Sequence, residues 1–224
     1  IKKNDLIILR STVPLGTCRD IVIPLVEKKT KLKFGKDIRI SFCPERTVEG
    51  LALKELKFLP QLIGSFDKNS YDQSSKIFNK YTSVVNLEKL ESAEMAKLID
   101  NSFRDVMFGY SNQMALISDK FNLNLNNIIS KINNGYKRNY VPIPSPGVGG
   151  PCLSKDPYLL NYSFEKFNLK ASMSIEARKI SDKMVHKVYN FCKNYLKKNK
   201  INISKSNIFI SGIAFKGDPE TSDV

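Results

Sequence analysis

The stretch Asp5-Leu-Ile-Ile-Leu-Arg10, running into Ser11-Thr-Val-Pro-Leu-Gly-Thr17, decides the fold class. A short aliphatic run with no polar alternation is the mark of a buried strand in a parallel sheet. The loop after it leads into a helical pattern through Ile21, Leu25 and Val26, so this region reads as one β-loop-α unit. The same texture continues outward. Ile38 to Phe42 is a second strand, followed by the loop Cys43-Pro-Glu-Arg-Thr-Val-Glu-Gly50 and a short helix near Ala52 to Leu56. Gln61 to Gly64, Lys68 to Tyr81 and Thr82 to Asn86 complete a strand, a helix and a strand. Alternating strands and helices predict an α/β fold with a mostly parallel, doubly wound sheet, whose ligands gather at the carboxyl ends of the strands. Thr12, Glu45 and Glu49 lie in loops at such ends. Locally, each has a plainer reading: Thr12 serves a turn, and the two glutamates are spaced i,i+4 as at an exposed helix start.

From Leu87 long helices take over. Glu91 to Lys120 predicts one helix of about 30 residues, or about 45 Å, longer than a small domain needs and long enough to bridge two domains or subunits. Ala93, Ala96, Ile99, Phe103, Val106, Met107, Tyr110 and Met114 form its expected buried stripe. Lys97 and Asn101 stand one turn apart on it, with Arg104 and Asp105 a further turn along. Asn124 to Asn133, Pro157 to Phe167 and Ala171 to about Asn199 read as further helices. The last carries Ile175, Ile180, Met184, Val188, Cys192 and Tyr195 on one face, which makes Cys192 a core residue, as Cys18 is on its own helix. Asn207 to Ala214 then reads as a fresh buried strand, so the chain is expected to stop inside a new α/β unit. No strand with a G-x-G-x-x-G turn precedes Asp5, and a fragment cut at both ends is expected.

Between the helices lies Pro144-Ser-Pro-Gly-Val-Gly-Gly-Pro-Cys-Leu-Ser-Lys-Asp-Pro157. Gly147, Gly149 and Gly150 leave the backbone bare ahead of Cys152 and tolerate positive φ. Asp156-Pro157 suits an N-cap followed by proline at the first helical position, which sets the thiol beside the positive end of a helix and near Lys155, surroundings that favour thiolate. Cys152 therefore reads as a nucleophile or as a small buried hydrophobe.

At 224 residues the chain holds one to two domains. Its four cysteines, Cys18, Cys43, Cys152 and Cys192, form no CxxC pair and His186 is the only histidine, which argues against zinc and against a disulfide scaffold and suits a reducing cytoplasm. No metal is expected. No apolar run reaches the ~18 residues of a membrane span and no signal sequence is recognisable, so no membrane association is expected. The net charge of +14 sits on lysines scattered among Asn and Ile, without Arg/aromatic clusters, which speaks against nucleic acid and is met as well by an anionic small ligand or by solvated faces.

Six ordered stretches carry a resemblance: STVP (11–14), CPERTVEG (43–50), AEMAKLIDNSFRDV (93–106), PGVGGPCLSKDP (146–157), EARKISDKM (176–184) and GIAFKGDPETSDV (212–224). Together they resemble the UDP-glucose/GDP-mannose dehydrogenase family, and most of all its branch that oxidises UDP-N-acetylhexosamines. The resemblance implies three regions: 1–86 as the C-terminal part of a Rossmann-like NAD-binding domain, 87–200 as a helical central and dimerisation domain with the cysteine loop, and 201–224 as the start of a UDP-binding domain. It implies an enzyme of polysaccharide biosynthesis that uses NAD twice to turn the C6 alcohol of a UDP-sugar into a carboxylate, through a Cys152 thiohemiacetal and thioester. A homodimer through the central helices is expected with it.

By the same resemblance Lys97 and Asn101 surround the reacting oxygen, and Asp156 and Glu45 are the candidate general bases. Thr12, Glu49 and Lys155 lie on the cofactor side. Glu45, Lys97, Asn101, Arg138, Gly149, Leu153 and Lys216 are expected to contact the substrate. The absent glycine motif and ribose-binding acid imply that the fragment by itself binds NAD poorly. Two other classes compete: a single-oxidation NAD-dependent dehydrogenase of 3-hydroxy acids, which shares the sheet and the helical lysine but needs no thiol, and a non-enzymatic polyanion binder resting on charge alone.

Overall fold

A computed structural model of the chain describes residues 1–48 and 50–210. Glu49, Lys216 and the part of the expected last strand beyond Ile210 lie outside the described residues. The chain divides into two compact units, residues 1–100 with 162–169, and residues 101–161 with the chain from 170 onward.

The first unit is built on four strands, β1 (Leu6–Leu9), β2 (Arg39–Phe42), β3 (Gln61–Ser65) and β4 (Val84–Lys89), in the order β1-β2-β3-β4. β1 pairs β2 in parallel, with Leu6 opposite Arg39 and Leu9 opposite Phe42, and β3 pairs β4 in parallel. The central pair departs from the parallel expectation: β2 and β3 run antiparallel, with Ser41 opposite Ser65 and Phe42 opposite Gly64. The reason lies in the connection. A parallel crossover usually needs a full helix, and residues 43–60 carry only the single turn α2 (Ala52–Glu55). The sheet is therefore mixed. Among the described strands β1 and β4 are outermost, and the residues of β1 are half-buried.

The apolar core gathers Cys18, Phe34, Ile38, Ile40, Phe42, Leu90 and Ala93, with Ile7, Leu9, Val22 and Val26 packed against it. A π-helical turn (Cys18–Val22) continues into α1 (Ile23–Thr30). α3 (Lys68–Phe78) starts where the Asp67 carboxylate accepts from the Ser70 backbone N–H at 2.7 Å, the usual N-cap arrangement. It seats on the sheet through serines: Ser74 Oγ lies 2.7 Å from Ser41 Oγ, which lies 2.8 Å from Ser65 Oγ.

The second unit is helical. α4 (Leu90–Ser118) starts in the first unit and continues here, followed by α5 (Leu125–Asn133), α6 (Asp156–Glu165), whose residues from Tyr162 on count with the first unit, and α7 (Ser172–Lys198). The expected apolar stripe of α4 holds at Ala93, is half-buried at Ala96, Val106, Met107 and Met114, and fails at Ile99, Phe103 and Tyr110, which are exposed, Phe103 at 61%. Besides Ala93, its buried residues include Glu94, Leu98, Asn101, Ser102, Asp105, Ser111, Asn112 and Ala115. Polar residues can occupy an interior when they find partners there, and several of these do. On α7 the expected stripe holds at Met184 and fails beyond it, where Val188 and Tyr195 are exposed and Cys192 is half-buried. Gly109 of α4 is needed for the approach of α7, since a Cβ there would lie 2.7 Å from the Ala177 Cα and 2.8 Å from its carbonyl oxygen. Asn207 to Ile210 form no strand, and Phe209 and Ile210 are exposed.

Candidate active site

In the first unit, three residues meet at the carboxyl ends of β1 and β2. Because β3 is antiparallel to β2, its amino end lies at the same edge, and so Arg10, Glu45 and Gln61 come together. Arg10 pairs with Glu45 through Nη2, donates to Gln61 Oε1 at 3.2 Å through Nη1, and lies 5.2 Å from the Phe78 ring centroid. Glu45 also accepts the Thr47 backbone N–H at 2.8 Å. Burial alone would raise the Glu45 carboxyl, but the hydrogen bonds from Thr47 and the Arg10 guanidinium outweigh it and hold the group down at about 2. A carboxylate this acidic is fixed as an anion at neutral pH and is a weak proton acceptor.

A cavity of about 510 Å³ opens beside this trio, walled by Leu53, Leu56, Leu59, Ile77 and Tyr81. Thr12, after β1, is half-buried and its hydroxyl is unpartnered among the described residues. One buried acid here gave no signal in the sequence. Glu94 is 1% exposed and accepts the backbone N–H of Gly16 at 2.6 Å and of Cys18 at 2.8 Å. It thereby satisfies the free donors of the loop after β1, where Gly16 has φ 91°. A glutamate at a helical position reads in sequence as solvated.

The second unit holds the thiol. Residues 134–150 have no regular secondary structure, and Cys152 lies in the turn that precedes α6. Its carbonyl accepts the N–H of Lys155 at 3.3 Å and of Asp156 at 3.0 Å. The helix thus begins earlier than the sequence suggested, with Asp156 inside its first turn. The carboxylate is consequently free of capping and points inward. It is 0% exposed, accepts from Asn101 Nδ2 at 2.5 Å on one oxygen and from Lys155 Nζ at 2.5 Å on the other. Two of the expected site residues are in this way brought together from α4 and α6, one turn of chain from the cysteine.

Of the four thiols, Cys152 is the exposed one. Burial pushes the Cys18 thiol far up, with Glu94 adding to the shift, and burial pushes Cys43 up to about 12, so both remain protonated and unreactive. Gly150 has φ 87°, a conformation glycine adopts without strain, and Ser154 Oγ donates to its carbonyl at 2.7 Å. Gly149 is exposed; the Leu153 side chain is buried. Lys97, one turn before Asn101 on α4, is half-buried and without a partner among the described residues. Arg138 is exposed and lies over the Tyr136 ring at 5.9 Å.

Among the described residues no group of three or more His, Cys, Asp or Glu side chains is placed to hold a metal ion, and no helix is long and apolar enough to cross a membrane.

Known proteins resemble the chain along almost its whole length. Residues 1–82 match the NAD binding domain of the UDP-glucose/GDP-mannose dehydrogenase family and residues 91–183 match its central domain. A UDP-N-acetyl-D-mannosamine dehydrogenase of Methanococcus vannielii is 33% identical over 98% of the chain, which spans 48% of that protein. One from Campylobacter jejuni is 30% identical over 97% of the chain and 53% of its own length. Among solved structures, a UDP-D-ManNAc dehydrogenase from Pyrococcus horikoshii superposes with a TM-score of 0.85 at 29% identity, covering 92% of this chain and 48% of that one. The chain spans about half the length of these relatives. Two domain models of one family, matched in order, leave a single assignment, and the chain belongs to the UDP-glucose/GDP-mannose dehydrogenase family.

Proposed function

We propose that this chain carries the catalytic thiol of a nucleotide-sugar 6-dehydrogenase, which oxidises the C6 alcohol of a UDP-N-acetylhexosamine to the uronic acid. The observation that carries the reading is the buried Asn101–Asp156 pair, tied by the Asp156 N–H to the carbonyl of the one exposed cysteine. The substrate class follows the relatives' names.

The first unit fits part of a cofactor site: Thr12 offers a hydroxyl unpartnered among the described residues at the carboxyl end of β1 and would help hold NAD, while no G-x-G-x-x-G turn occurs within these 224 residues. NAD, when bound, supplies the hydride acceptor for the alcohol-to-aldehyde and thiohemiacetal-to-thioester oxidations. The thiolate of Cys152 adds to the C6 aldehyde, forming a C–S bond and placing negative charge on the former carbonyl oxygen. Asn101 Nδ2 and the Lys97 ammonium donate to that oxygen; removing one such donor typically costs about a hundredfold or more in rate. Once the thioester has formed, Asp156 orients water and takes its proton, the hydroxide adds to the acyl carbon, and the C–S bond breaks to return the thiolate. Glu45, held at about 2, is the weaker candidate for proton acceptance and serves as a fixed anion in the first unit. The exposed apolar side of α4, with Ile99, Phe103 and Tyr110, is the face we assign to a second copy of the chain.

The test is acid formation by the complete gene product with UDP-N-acetyl-D-mannosamine. Two NADH are expected per sugar, and Cys152→Ala is expected to abolish the acid. One NADH per substrate, or normal turnover by that variant, sinks the reading.

A further inference from the structure

We infer that Arg178 of α7 is the positioning residue of the cysteine loop, holding the two carbonyls that bracket Cys152 and anchoring them to α4. Its guanidinium donates through Nη2 to the Val148 carbonyl at 2.7 Å and through Nη1 to the Leu153 carbonyl at 3.4 Å. Nη1 also pairs with Asp105 Oδ1 at 2.8 Å, and Nε donates to Asp182 Oδ1 at 3.0 Å. Arg178 is 1% exposed and Asp105 is fully buried, whereas Asp182 is open to solvent.

A guanidinium taken out of water loses several kcal/mol of hydration and is tolerated only when its donors are met by acceptors. Asp105 supplies the charge, but one carboxylate cannot meet a five-donor fork. The loop carbonyls at 148 and 153 complete it. Pulling the loop away therefore strands buried donors, and the loop is held in place by the expense of leaving Arg178 unsatisfied. Upstream, Ser145 donates its backbone N–H to Asn112 Oδ1 and its hydroxyl to the Gly147 carbonyl; downstream, Ser154 Oγ donates to the Gly150 carbonyl and the Cys152 carbonyl accepts from the first turn of α6. Between them the Val148 carbonyl has Arg178.

Lysine is a poor substitute here. It keeps the charge opposite Asp105 but offers three donors from a single point, which cannot reach two carbonyls and two carboxylates in one plane. A residue acting only as an ion-pair partner for Asp105 would be rescued by lysine, and a residue positioning the loop would not. The inference concerns the loop's geometry; only its catalytic consequence rests on Cys152 being the nucleophile.

The experiment uses the complete gene product and two readouts, amide hydrogen exchange of residues 147–155 and steady-state kinetics with UDP-N-acetyl-D-mannosamine. Arg178→Lys is expected to speed exchange across 147–155 by about tenfold, the signature of local opening. It is expected to lower kcat by about a hundredfold with KM changed less than about threefold, since small misplacements of a reacting group cost this much. Unchanged exchange and unchanged kcat in a folded Arg178→Lys protein would overturn the inference. Should that variant not fold, the wild type and Asp182→Asn decide: exchange over 147–155 slower than over 134–140, and about threefold faster in the Asn variant, supports the clamp, and equal rates refute it. Cys152→Ala separates the two readings. It should leave exchange over 147–155 as in the wild type while abolishing the acid, so turnover without the thiol counts against the nucleophile and not against the clamp.

Discussion

The interiors of the two units are built from opposite materials. In the sheet unit Phe34, Ile38, Ile40, Phe42 and Leu90 fill the core, and its buried polar groups are the serine chain under α3, Gln61 and the single buried acid Glu94. In the helical unit the buried residues include Asn101, Asp105, Asn112, Asp156 and Arg178, with serines at 102, 111, 174 and 181. Apolar burial is non-directional and stabilises a fold in proportion to area. Hydrogen-bonded burial contributes little net stability but specifies geometry, because each misplaced group leaves a desolvated partner behind. The unit that presents the cysteine is the one whose interior dictates geometry. Some of that interior is not fully satisfied: Asp105 Oδ2, Asn112 Nδ2, Ser102 Oγ and Ser181 Oγ have no partner among the described residues.

Paired substitutions break the comparison most sharply. Phe42→Ala and Arg178→Leu are both expected to lower stability by about 3–5 kcal/mol in urea titrations, the first by opening a cavity and the second by stranding the buried Asp105 charge. The difference appears on adding a second change. Asp105→Leu with Arg178→Met should restore stability to within ~1 kcal/mol of the wild type, since a buried ion pair is often replaceable by apolar residues. A double variant as unstable as Arg178→Leu would show that the two interiors are not different in kind.

The next effect is in pH. Burial pushes the Asp105 carboxyl up from 3.8 to about 6, with Asp182 adding to the rise and Arg178 pulling against it. The folded state then binds the proton more tightly than the unfolded chain, so this group favours folding below about pH 4 and loses that contribution as pH rises through 6, a change of about 3 kcal/mol at most. Glu45 works the other way: its carboxyl is lowered to about 2, so its contribution is present above about 4.5 and is lost as the pH falls through 2. Melting temperatures from pH 2 to 8 should show the decline between 4 and 6 flattened in Asp105→Asn and the acid limb flattened in Glu45→Gln. The same slopes in the variants as in the wild type would remove both assignments.

A smaller effect sharpens the picture at the helix crossing. Gly109→Ala places a methyl group against Ala177 backbone and is expected to cost about 1–3 kcal/mol, read from the urea midpoint. A neutral result would mean that α4 and α7 approach less closely than the interior hydrogen bonds suggest.

Much of the molecule was legible in the residues. The strands at Leu6–Leu9 and Arg39–Phe42, the helix starts at Lys68 and near Asn124 and the long span of α4 emerge as expected, because each depends on local pattern and chain stiffness. The buried face of α4 did not emerge, because a helix wheel weighs each residue by its own hydropathy, and Asp105 or Asn101 becomes an interior residue only once Arg178 or Asp156 is opposite. Arg178 itself reads as half of an i,i+4 surface pair with Asp182, and that pair does exist; its other three contacts come from 25 to 73 residues away.

The sequence by itself determined the family and the α/β-then-helical order, since motifs and periodicity are properties of neighbouring residues. Only the tertiary structure decided that β2 and β3 run antiparallel, that Asp156 turns inward to Asn101, and that one buried arginine holds the backbone on both sides of the thiol. Those outcomes depend on which donors and acceptors meet after the chain has folded, and pairing across long sequence distance leaves no mark on either partner alone.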